Sequence, residues 1–419
     1  MSFLLPLLSP LQKHGLGASQ PNVLLLSTYA FGEPRHGGQV RLANIAQAYE
    51  RAGFSVSSLA VCETRYRGFG KDDLLFSDQA PHNLFKGRSV LFSTDFLSGL
   101  YAANPKGAWP HISARFADQK IDVIHVEQPW LWPLALRLRE LPTCANTILV
   151  YGSQNIEAPL RREILQSYRH EAEDFIEAID QLERAACQGA DLSLAVTQED
   201  ASLLREFGAR EVILAPNGIA PWSASKNLIS QWQKKLPAAP WALYIASAHP
   251  PNFTSFLECM GQALGGIPPN SKLVVAGSVC EHLEILLAQS RWSNLNLART
   301  LYLGQLTNDD LTAVKSLASV FCLPIAHGGG SNIKTAEALY SGASVVGSVA
   351  AFRGFEEFTA LAQVYVAHSP EEFQYLLRTL LTQEPIAVDE PGHALRKRLK
   401  WTACLSPICT AVMGLLESK

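Results

Sequence analysis

The stretch that decides the fold runs from residue 323 to residue 348 and reads LPIAHGGGSNIKTAEALYSGASVVGS. Its pattern predicts a buried strand, a turn of three consecutive glycines, a helix closed by Gly342 and a second strand. Glycines at such a turn let the backbone come close to a ligand, and the helix N-terminus offers free N–H groups and a partial positive charge. The turn therefore suits a phosphate or a diphosphate.

Two side chains of this helix strengthen the prediction. Lys334, in the first turn, adds a cation on the same side, and Glu337 lies on the same helix face, where it can accept hydrogen bonds from a diol such as ribose. The alternative is a tight turn with a surface Lys–Glu pair. The run fits neither GxxxxGK[ST] nor GxGxxG, so a P-loop nucleotide hydrolase and a dinucleotide enzyme are disfavoured.

The rest of the chain alternates short apolar runs with amphipathic stretches. NVLLLS (22–27), a helix and the strand FSVSSLAV form a βαβ unit, which predicts a parallel sheet. A long amphipathic helix is expected over 158–187. Residues 220–240, rich in proline and polar residues, are the best linker candidate, and after them the strand–helix rhythm restarts. We therefore predict two α/β sheets of similar size.

Composition limits the classes of function. The 419 residues carry a net charge of −3, which disfavours binding of nucleic acid through bulk positive charge. Eight cysteines without a CxxC pair predict buried thiols in a reducing compartment. The apolar N-terminus has no basic region, and the uncharged run 401–416 is shorter than the ~20 residues of a spanning helix. We expect a cytoplasmic protein and leave peripheral contact with the inner face of a membrane open.

Several segments together carry a family resemblance. The stretch 323–348 resembles the C-terminal signature of GT-B glycosyltransferases in the large retaining family often called family 4. Five further segments are similar, in order and spacing, to that family's Gly-Gly loop and first helix, its helix–strand block, its Pro-Asn-Gly turn and two strands of its nucleotide domain. They are PRHGGQVRLANIAQAYERAGFSV (34–56), LERAACQGADLSLAVTQED (182–200), LAPNGI (214–219), YIASAHPPNFTSF (244–256) and LYLGQLTNDDL (301–311).

The resemblance implies two Rossmann-like domains whose parallel sheets face each other across a cleft. Residues 1–220 would bind the acceptor, with a helix at 400–419 packing back on them, and residues 221–399 would bind the donor. The implied activity moves a sugar from a nucleoside diphosphate sugar, with UDP or GDP, to a glycan, lipid-linked or other acceptor in glycan, glycolipid or glycoconjugate biosynthesis. The co-substrate would be the only small molecule needed, because the chain has no DxD motif for a metal.

Site residues follow from the same resemblance, position by position. Lys334 would neutralise charge on the leaving diphosphate, and Glu337 would hold the ribose. The glycine run would cradle the diphosphate, two glycines of the first domain would close over it, and two residues after a later strand would flank the base. With two histidines beside the cleft, the predicted donor site comprises Gly37, Gly38, His249, Gly304, Gln305, His327, Gly328, Gly329, Gly330 and Ser331.

Two departures from the family pattern matter. Gly329 stands eight residues before Glu337, where many members carry a first glutamate. Gln154 stands where the family has a histidine thought to contact the transferred sugar, and glutamine can donate a hydrogen bond but carries no charge. We predict that Gln154, Asn155 and Glu157 line the cleft, the alternative being a buried turn network, and that Glu127 contacts the acceptor.

These departures keep rival functions open. No general base is evident, which fits a retaining mechanism in which the leaving phosphate takes the acceptor proton, and also fits loss of activity. The rivals are therefore a catalytically inactive GT-B subunit that binds a nucleotide sugar, and a GT-B nucleotide-sugar 2-epimerase. A DNA-modifying transferase is disfavoured by the near-neutral charge.

Overall fold

The computed structural model describes residues 20–65, 68–76, 82–327, 329–384, 386 and 388–419. The apolar N-terminus and Gly328 of the glycine run lie outside the described residues. Within them the chain forms two parallel β-sheets covered by helices, which confirms the predicted GT-B-like α/β architecture.

The first sheet has seven strands. They are β1 Asn22–Ser27, β2 Ser55–Cys62, β3 Leu74–Leu75, β4 Val123–Glu127, β5 Ile148–Gly152, β6 Leu192–Ala195 and β7 Val212–Leu214. Their order is β3-β2-β1-β4-β5-β6-β7, with every neighbouring pair parallel. The four central residues of β1 are fully buried, because helices cover both faces of a parallel sheet, and this explains why such strands read as continuous apolar runs.

The second sheet has six strands. They are β8 Trp241–Ile245, β9 Lys272–Ala276, β10 Thr300–Tyr302, β11 Val320–Leu323, β12 Ser344–Ser348 and β13 Val364–Ala367. Their order is β10-β9-β8-β11-β12-β13, again with parallel neighbours. The stretch 323–348 thus spans the end of β11, the glycine turn, one helix and all of β12.

Helices connect the strands and cover both sheets. They are α1 Gly37–Arg51, α2 Thr94–Ala103, α3 Trp109–Phe116, α4 Trp132–Arg139, α5 Glu157–Ser167, α6 Glu173–Gly189, α7 Gln198–Glu206, α8 Lys226–Gln233, α9 Pro250–Met260, α10 Val279–Ala288, α11 Ser293–Arg299, α12 Asn308–Leu317, α13 Ile333–Ser341, α14 Pro370–Leu380, α15 Glu390–Lys397 and α16 Trp401–Glu417. Thr197 caps the N-terminus of α7, since its hydroxyl accepts from the Asp200 N–H at 2.9 Å.

The last helix, α16, packs on the first sheet although it follows the second sheet in the chain. Its residues Leu405, Ile408 and Val412 are buried in one cluster with the inner face of α1. Backbone hydrogen bonds from Ile219 to Leu399 (2.7 Å) and from Trp401 to Ile219 (3.0 Å) join the two crossings of the chain. The main chain therefore passes twice between the two sheets at one place.

Two predicted segments differ from the structure. The expected helix over 158–187 is two helices, α5 and α6, because the chain turns between them with Arg169 in the left-handed region (φ +52). The expected linker 220–240 contains α8, which packs on α12, and the Trp232 indole donates to Asp310 at 2.9 Å. Trp232 is buried against the second sheet, and Trp222 packs beside it partly buried. The prolines and polar residues of this segment did not indicate such packing.

The described helices differ from membrane-spanning segments in length or in apolar character. In the part of the chain that the structure describes, none has both the length and the apolar character needed to cross a bilayer.

The order of strands reverses direction once in each sheet. The reversal lies between β1 and β4 in the first sheet and between β8 and β11 in the second. At such a point the connections leave to opposite sides and open a crevice beyond the carboxyl ends of the strands, where α/β proteins bind ligands. Both crevices open toward the same interdomain cavity.

Candidate active site

A cavity of about 680 Å³ lies where the two crevices meet. Its volume is in the range of small-molecule sites, roughly 300–1,000 Å³. Both domains line it, and the structure brings six of the predicted site residues together there. They are Asn155, Glu157, His249, His327, Gly329 and Lys334.

Lys334 is the cation of the cavity wall that the second domain contributes. It is half-buried in the first turn of α13, and its Nζ donates to Asn252 Oδ1 at 2.8 Å. The structure gives Lys334 no carboxylate partner among the residues that it describes. Burial lowers its pKa to about 8, because a low-dielectric site disfavours the charged form. An ammonium held in this way gains an anionic partner only when a ligand supplies one.

The two histidines flank this lysine. His249 follows β8, and partial burial, then the charge of Lys334, lowers its pKa. His327 follows β11, and its Nε2 lies 2.7 Å from Glu258 Oε2, with both side chains about half exposed at 51%. His249 is therefore a neutral hydrogen-bonding group near pH 7, whereas His327 already has an acidic partner.

The glycine turn brings the two domains into contact. Gly330 has φ +59, and a Cβ on it would lie 2.3 Å from the backbone oxygen of Gln154. A Cβ on Gly329 would lie 3.2 Å from Asn155 Oδ1. The Ser331 carbonyl accepts from Asn217 Nδ2 at 2.9 Å, while its buried hydroxyl has no partner among the described residues. Glycine is therefore needed here for the approach of the first domain as well as for any ligand.

We expect Gly330→Ala to weaken UDP binding at least tenfold, because the new methyl group must push the glycine turn away from Gln154. Gly53→Ala is the matched control, since Gly53 also has a positive φ (+90) but nothing within 4 Å of the added carbon. Calorimetric titration with UDP measures the effect. Equal UDP affinity in the two variants would contradict this role of Gly330.

The side-chain amide of Gln154 is hydrogen-bonded to other residues of the first domain. Its Nε2 donates to the Tyr29 hydroxyl at 2.6 Å and to Glu127 Oε1 at 3.1 Å, so both amide hydrogens are used. Its Oε1 is directed toward the glycines at the start of α1, where a Cβ on Gly38 would lie 3.2 Å from it. Both amide hydrogens are therefore engaged within the first domain, and Gln154 is not among the residues that line the cavity.

Glu127 does not contact the cleft, which corrects its predicted role in acceptor binding. Its side chain is fully buried, with Arg41 Nε at 2.7 Å and His125 Nε2 at 3.0 Å. Burial by itself raises the pKa of Glu127, but Arg41 and then His125 outweigh it and hold the pKa below its usual value. A Cβ on Gly152 would lie 2.1 Å from Glu127 Oε2, so the glycine makes room for the carboxylate.

The buried network extends from Glu127 through Arg41, which lies on α1, to the chain segment 215–217. Arg41 Nη1 donates to the Ala215 carbonyl at 2.8 Å and to Asn217 Oδ1 at 3.3 Å. Because Asn217 in turn holds Ser331, one hydrogen-bonded chain links the interior of the first domain to the glycine turn of the second. The sequence signalled Asn217 through its Pro-Asn-Gly turn but gave no sign that Arg41 is buried.

Glu157 lies at the cavity floor and begins α5. Gln128 Nε2 donates to Glu157 Oε1 at 3.1 Å, and burial raises the pKa of this carboxyl. Behind it, Glu183 accepts from the Tyr151 hydroxyl at 2.8 Å and from the Glu157 N–H at 2.9 Å. Burial, and then Glu157, raise the pKa of Glu183 to about 8. Glu157 and Glu183 therefore form part of a buried turn network, and Glu157 also lines the cavity.

The remaining predicted residues lie apart from the cavity lining. Gly37 begins α1 and faces Ile333, since a Cβ on it would lie 3.5 Å from Ile333 Cδ1. Gly304 and Gln305 follow β10, two strands from the reversal point, and the Gly304 carbonyl accepts from Gly277 at 2.8 Å. Glu337 Oε1 accepts from Lys315 Nζ at 2.9 Å, with about a quarter of its side chain exposed.

Across the described ranges, no three His, Cys, Asp or Glu side chains converge in a way that could hold an ion.

Comparisons with known proteins bear on the fold. Residues 36–218 match the family model described as a glycosyl transferase 4-like domain. No curated protein sequence matches the chain. Among solved structures, sucrose-phosphate synthase from Thermosynechococcus elongatus superposes with a TM-score of 0.67 at 16% identity, covering 96% of this chain and 100% of that one.

Two further structures are similar over nearly the whole chain. HepE of Anabaena, in complex with UDP and glucose, has a TM-score of 0.60 at 15% identity, covering 95% of this chain and 98% of its own. WaaG, a glycosyltransferase involved in lipopolysaccharide biosynthesis, has a TM-score of 0.57 at 14% identity, covering 94% and 98%. Residues 36–218 are thus similar to a glycosyl transferase 4-like domain, and the chain as a whole shares the GT-B fold of these structures.

Proposed function

We propose that this protein is a glycosyltransferase. It takes a sugar from a nucleoside diphosphate sugar and passes it, with retention of the anomeric configuration, to an acceptor. The acceptor belongs to glycan, glycolipid or glycoconjugate assembly. The observation that carries the proposal is Lys334, an ammonium without a carboxylate partner among the described residues, beside a glycine turn and a helix N-terminus. HepE, which shares the fold, is seen with UDP and with UDP-glucose, which supports a UDP-sugar as the donor.

Charge development explains the use of this arrangement. Breaking the sugar–phosphate bond leaves its electron pair on the diphosphate, whose negative charge grows toward the transition state. Lys334 and the free N–H groups at the start of α13 are in place before that happens, so they stabilise the transition state more than the bound donor. In a retaining reaction the departing phosphate oxygen then takes the proton of the acceptor hydroxyl as that hydroxyl attacks from the same face.

The other predicted residues take supporting roles in this proposal. Gln154 Oε1 accepts from a hydroxyl of the transferred sugar, and His249 hydrogen-bonds the donor beside Lys334. Glu337 holds the ribose through the oxygen that Lys315 does not occupy, while Gly304 and Gln305 approach the base. Residues 221–399 bind the donor, and residues 1–220 with α16 bind the acceptor. The reaction needs no metal, and free, buried thiols at all eight cysteines support a cytoplasmic setting.

Incubation with a panel of UDP- and GDP-sugars tests the proposal. Free nucleoside diphosphate is measured with and without acceptors, and the anomeric configuration of the product is read by NMR. Binding without any release of diphosphate would favour the inactive subunit, and a changed sugar in the recovered nucleotide would favour the 2-epimerase. A folded chain that neither binds nor turns over any of them would refute the transferase assignment.

We expect UDP binding to weaken as the pH rises through about 8. The free protein loses the charge of Lys334 near that pH, whereas a bound diphosphate keeps the ammonium protonated, so binding takes up a proton above pH 8. The dissociation constant should then rise by up to tenfold per pH unit. Calorimetry in two buffers of different ionisation enthalpy measures both effects. A profile that stays flat from pH 7 to pH 9.5 would contradict this role of the lysine.

A further inference from the structure

The two walls of the active-site cavity differ in chemistry. The wall from the second domain carries Lys334, His249 and Asn252 beside the glycine turn. The wall from the first domain presents an apolar group, here called the apolar wall, made of Phe92, Leu160, Ile164 and Tyr168. The phosphates and hydroxyls of a nucleotide sugar require polar partners, so they bind against the polar wall and leave the apolar wall to an apolar part of a ligand.

Two aromatic side chains of the apolar wall are exposed. Phe92 is 42% exposed and Tyr168 is 49% exposed, and their rings meet edge to face with centroids 5.1 Å apart. Exposed apolar side chains are ordinary when scattered singly, whereas a group of them beside a cavity marks a binding surface. The pair lies outside the core clusters of the first domain.

Three non-glycine residues in or beside the apolar wall have a backbone conformation with positive φ. Phe92 (φ +59) and Gln128 (φ +65) line the cavity, and Arg169 (φ +52) follows Tyr168 directly. Non-glycine residues in this region are strained, and they persist only where their surroundings hold them. Arg161 from α5 supplies one restraint, since its Nη1 donates to the Phe92 carbonyl at 2.9 Å.

Charge near the apolar wall argues against an anionic occupant. Glu157 and Glu163 line the same side of the cavity. Arg161 is the cation there, and its two Nη atoms already bind the Phe92 carbonyl and Asp95 Oδ2, the latter at 3.3 Å. A phosphate on the acceptor would therefore meet carboxylates and a cation that is already paired.

We propose that the apolar wall binds an alkyl or aryl group carried by the glycosyl acceptor, and that the acceptor is uncharged at this end. The inference rests on the proposed function, which it deepens by naming the acceptor class. With the apolar group against Phe92, Ile164 and Tyr168, a hydroxyl of the same molecule lies toward Lys334 and Asn155 on the polar side. An acceptor of this kind uses both walls of the cavity.

Calorimetric titration of the full chain, in the presence of UDP, tests the proposal with octyl β-glucoside, methyl β-glucoside and octyl phosphate as probes below their micelle concentrations. We expect octyl β-glucoside to bind at least tenfold more tightly than methyl β-glucoside, about 1.4 kcal/mol. Octyl phosphate should bind more weakly than octyl β-glucoside. Tyr168→Ala should reduce the octyl preference to threefold or less. Tyr375→Ala is the matched control, because Tyr375 is 67% exposed on α14 of the other domain.

Each other result overturns the inference. Equal binding of the two glucosides, or an equal loss in both tyrosine variants, would show that the apolar wall takes no part. Tightest binding of octyl phosphate would assign the wall to an anionic lipid instead. Titration with UDP and UDP-glucose in the same samples separates the two proposals. If these nucleotides bind while the octyl preference is missing, only the inference fails. If neither they nor any GDP-sugar binds, the proposed function fails, and titration with the two glucosides alone still tests whether the apolar wall binds an octyl group.

Discussion

Replacing Lys334 with alanine is expected to weaken the binding or turnover of a nucleotide sugar at least tenfold, about 1.4 kcal/mol. The ammonium lies in the first turn of α13, lines the cavity and is held by Asn252 Oδ1 at 2.8 Å. Removing it leaves the growing charge of the diphosphate to backbone N–H groups alone. Titration with UDP and steady-state release of UDP measure the two effects.

Folding should be unaffected in this variant. Burial lowers the pKa of Lys334 from its usual value to about 8, so below that pH the folded protein carries a buried ammonium that costs stability. The alanine variant is then at least as stable at pH 7, and a loss of binding reports on the site itself. Lys226→Ala serves as the control, since Lys226 is exposed on α8 of the same domain. Equal kinetics in the two variants would refute the phosphate site.

Replacing Arg41 with methionine is expected to lower the free energy of unfolding of the first domain by about 3–5 kcal/mol. Arg41 is buried, and its Nε lies 2.7 Å from Glu127 Oε1. A methionine of similar length keeps much of the packing but leaves the carboxylate buried without its main partner. Unfolding in urea, followed by fluorescence, measures the change.

The double variant Arg41→Met/Glu127→Leu separates loss of an ion pair from loss of packing. Removing both charges should recover a large part of the stability, because the penalty comes from the unpaired carboxylate. Arg51→Met, at an exposed position of the same helix, should leave the stability nearly unchanged. If Arg41→Met is as stable as Arg51→Met, the account of Glu127 as a buried, paired carboxylate is wrong.

Sequence reasoning worked best where the signal is local. The rhythm of apolar runs and amphipathic stretches predicted two parallel sheets, and both are present. It failed at 158–187, where an amphipathic pattern continues across a turn at Arg169. A helical pattern of apolar residues does not reveal that one residue within it adopts a left-handed backbone conformation and ends the helix. That turn places Tyr168 at the cavity, so the error concealed a part of the site.

One part of the candidate site was also predictable from local sequence, and another part was not. The spacing of the glycine turn and Lys334 already indicated an anion site, and the structure places Gly329 and Lys334 at one cavity. Whether Glu127 is exposed or buried had no local signal. Its partner Arg41 is 86 residues away in the chain, and a strand-end glutamate reads the same whether it faces solvent or an arginine.

By itself, then, the sequence determined the α/β elements, their parallel pairing and the glycine turn beside Lys334, because spacing and residue type act over a few residues. Only the tertiary structure decided that Glu127 is buried, that the amide hydrogens of Gln154 are bonded within the first domain, and that Phe92 and Tyr168 line the same cavity as Lys334. Burial, hydrogen-bond direction and the facing of two domains depend on contacts between residues far apart in the chain. Such contacts exist only once both sheets have formed and closed on one another.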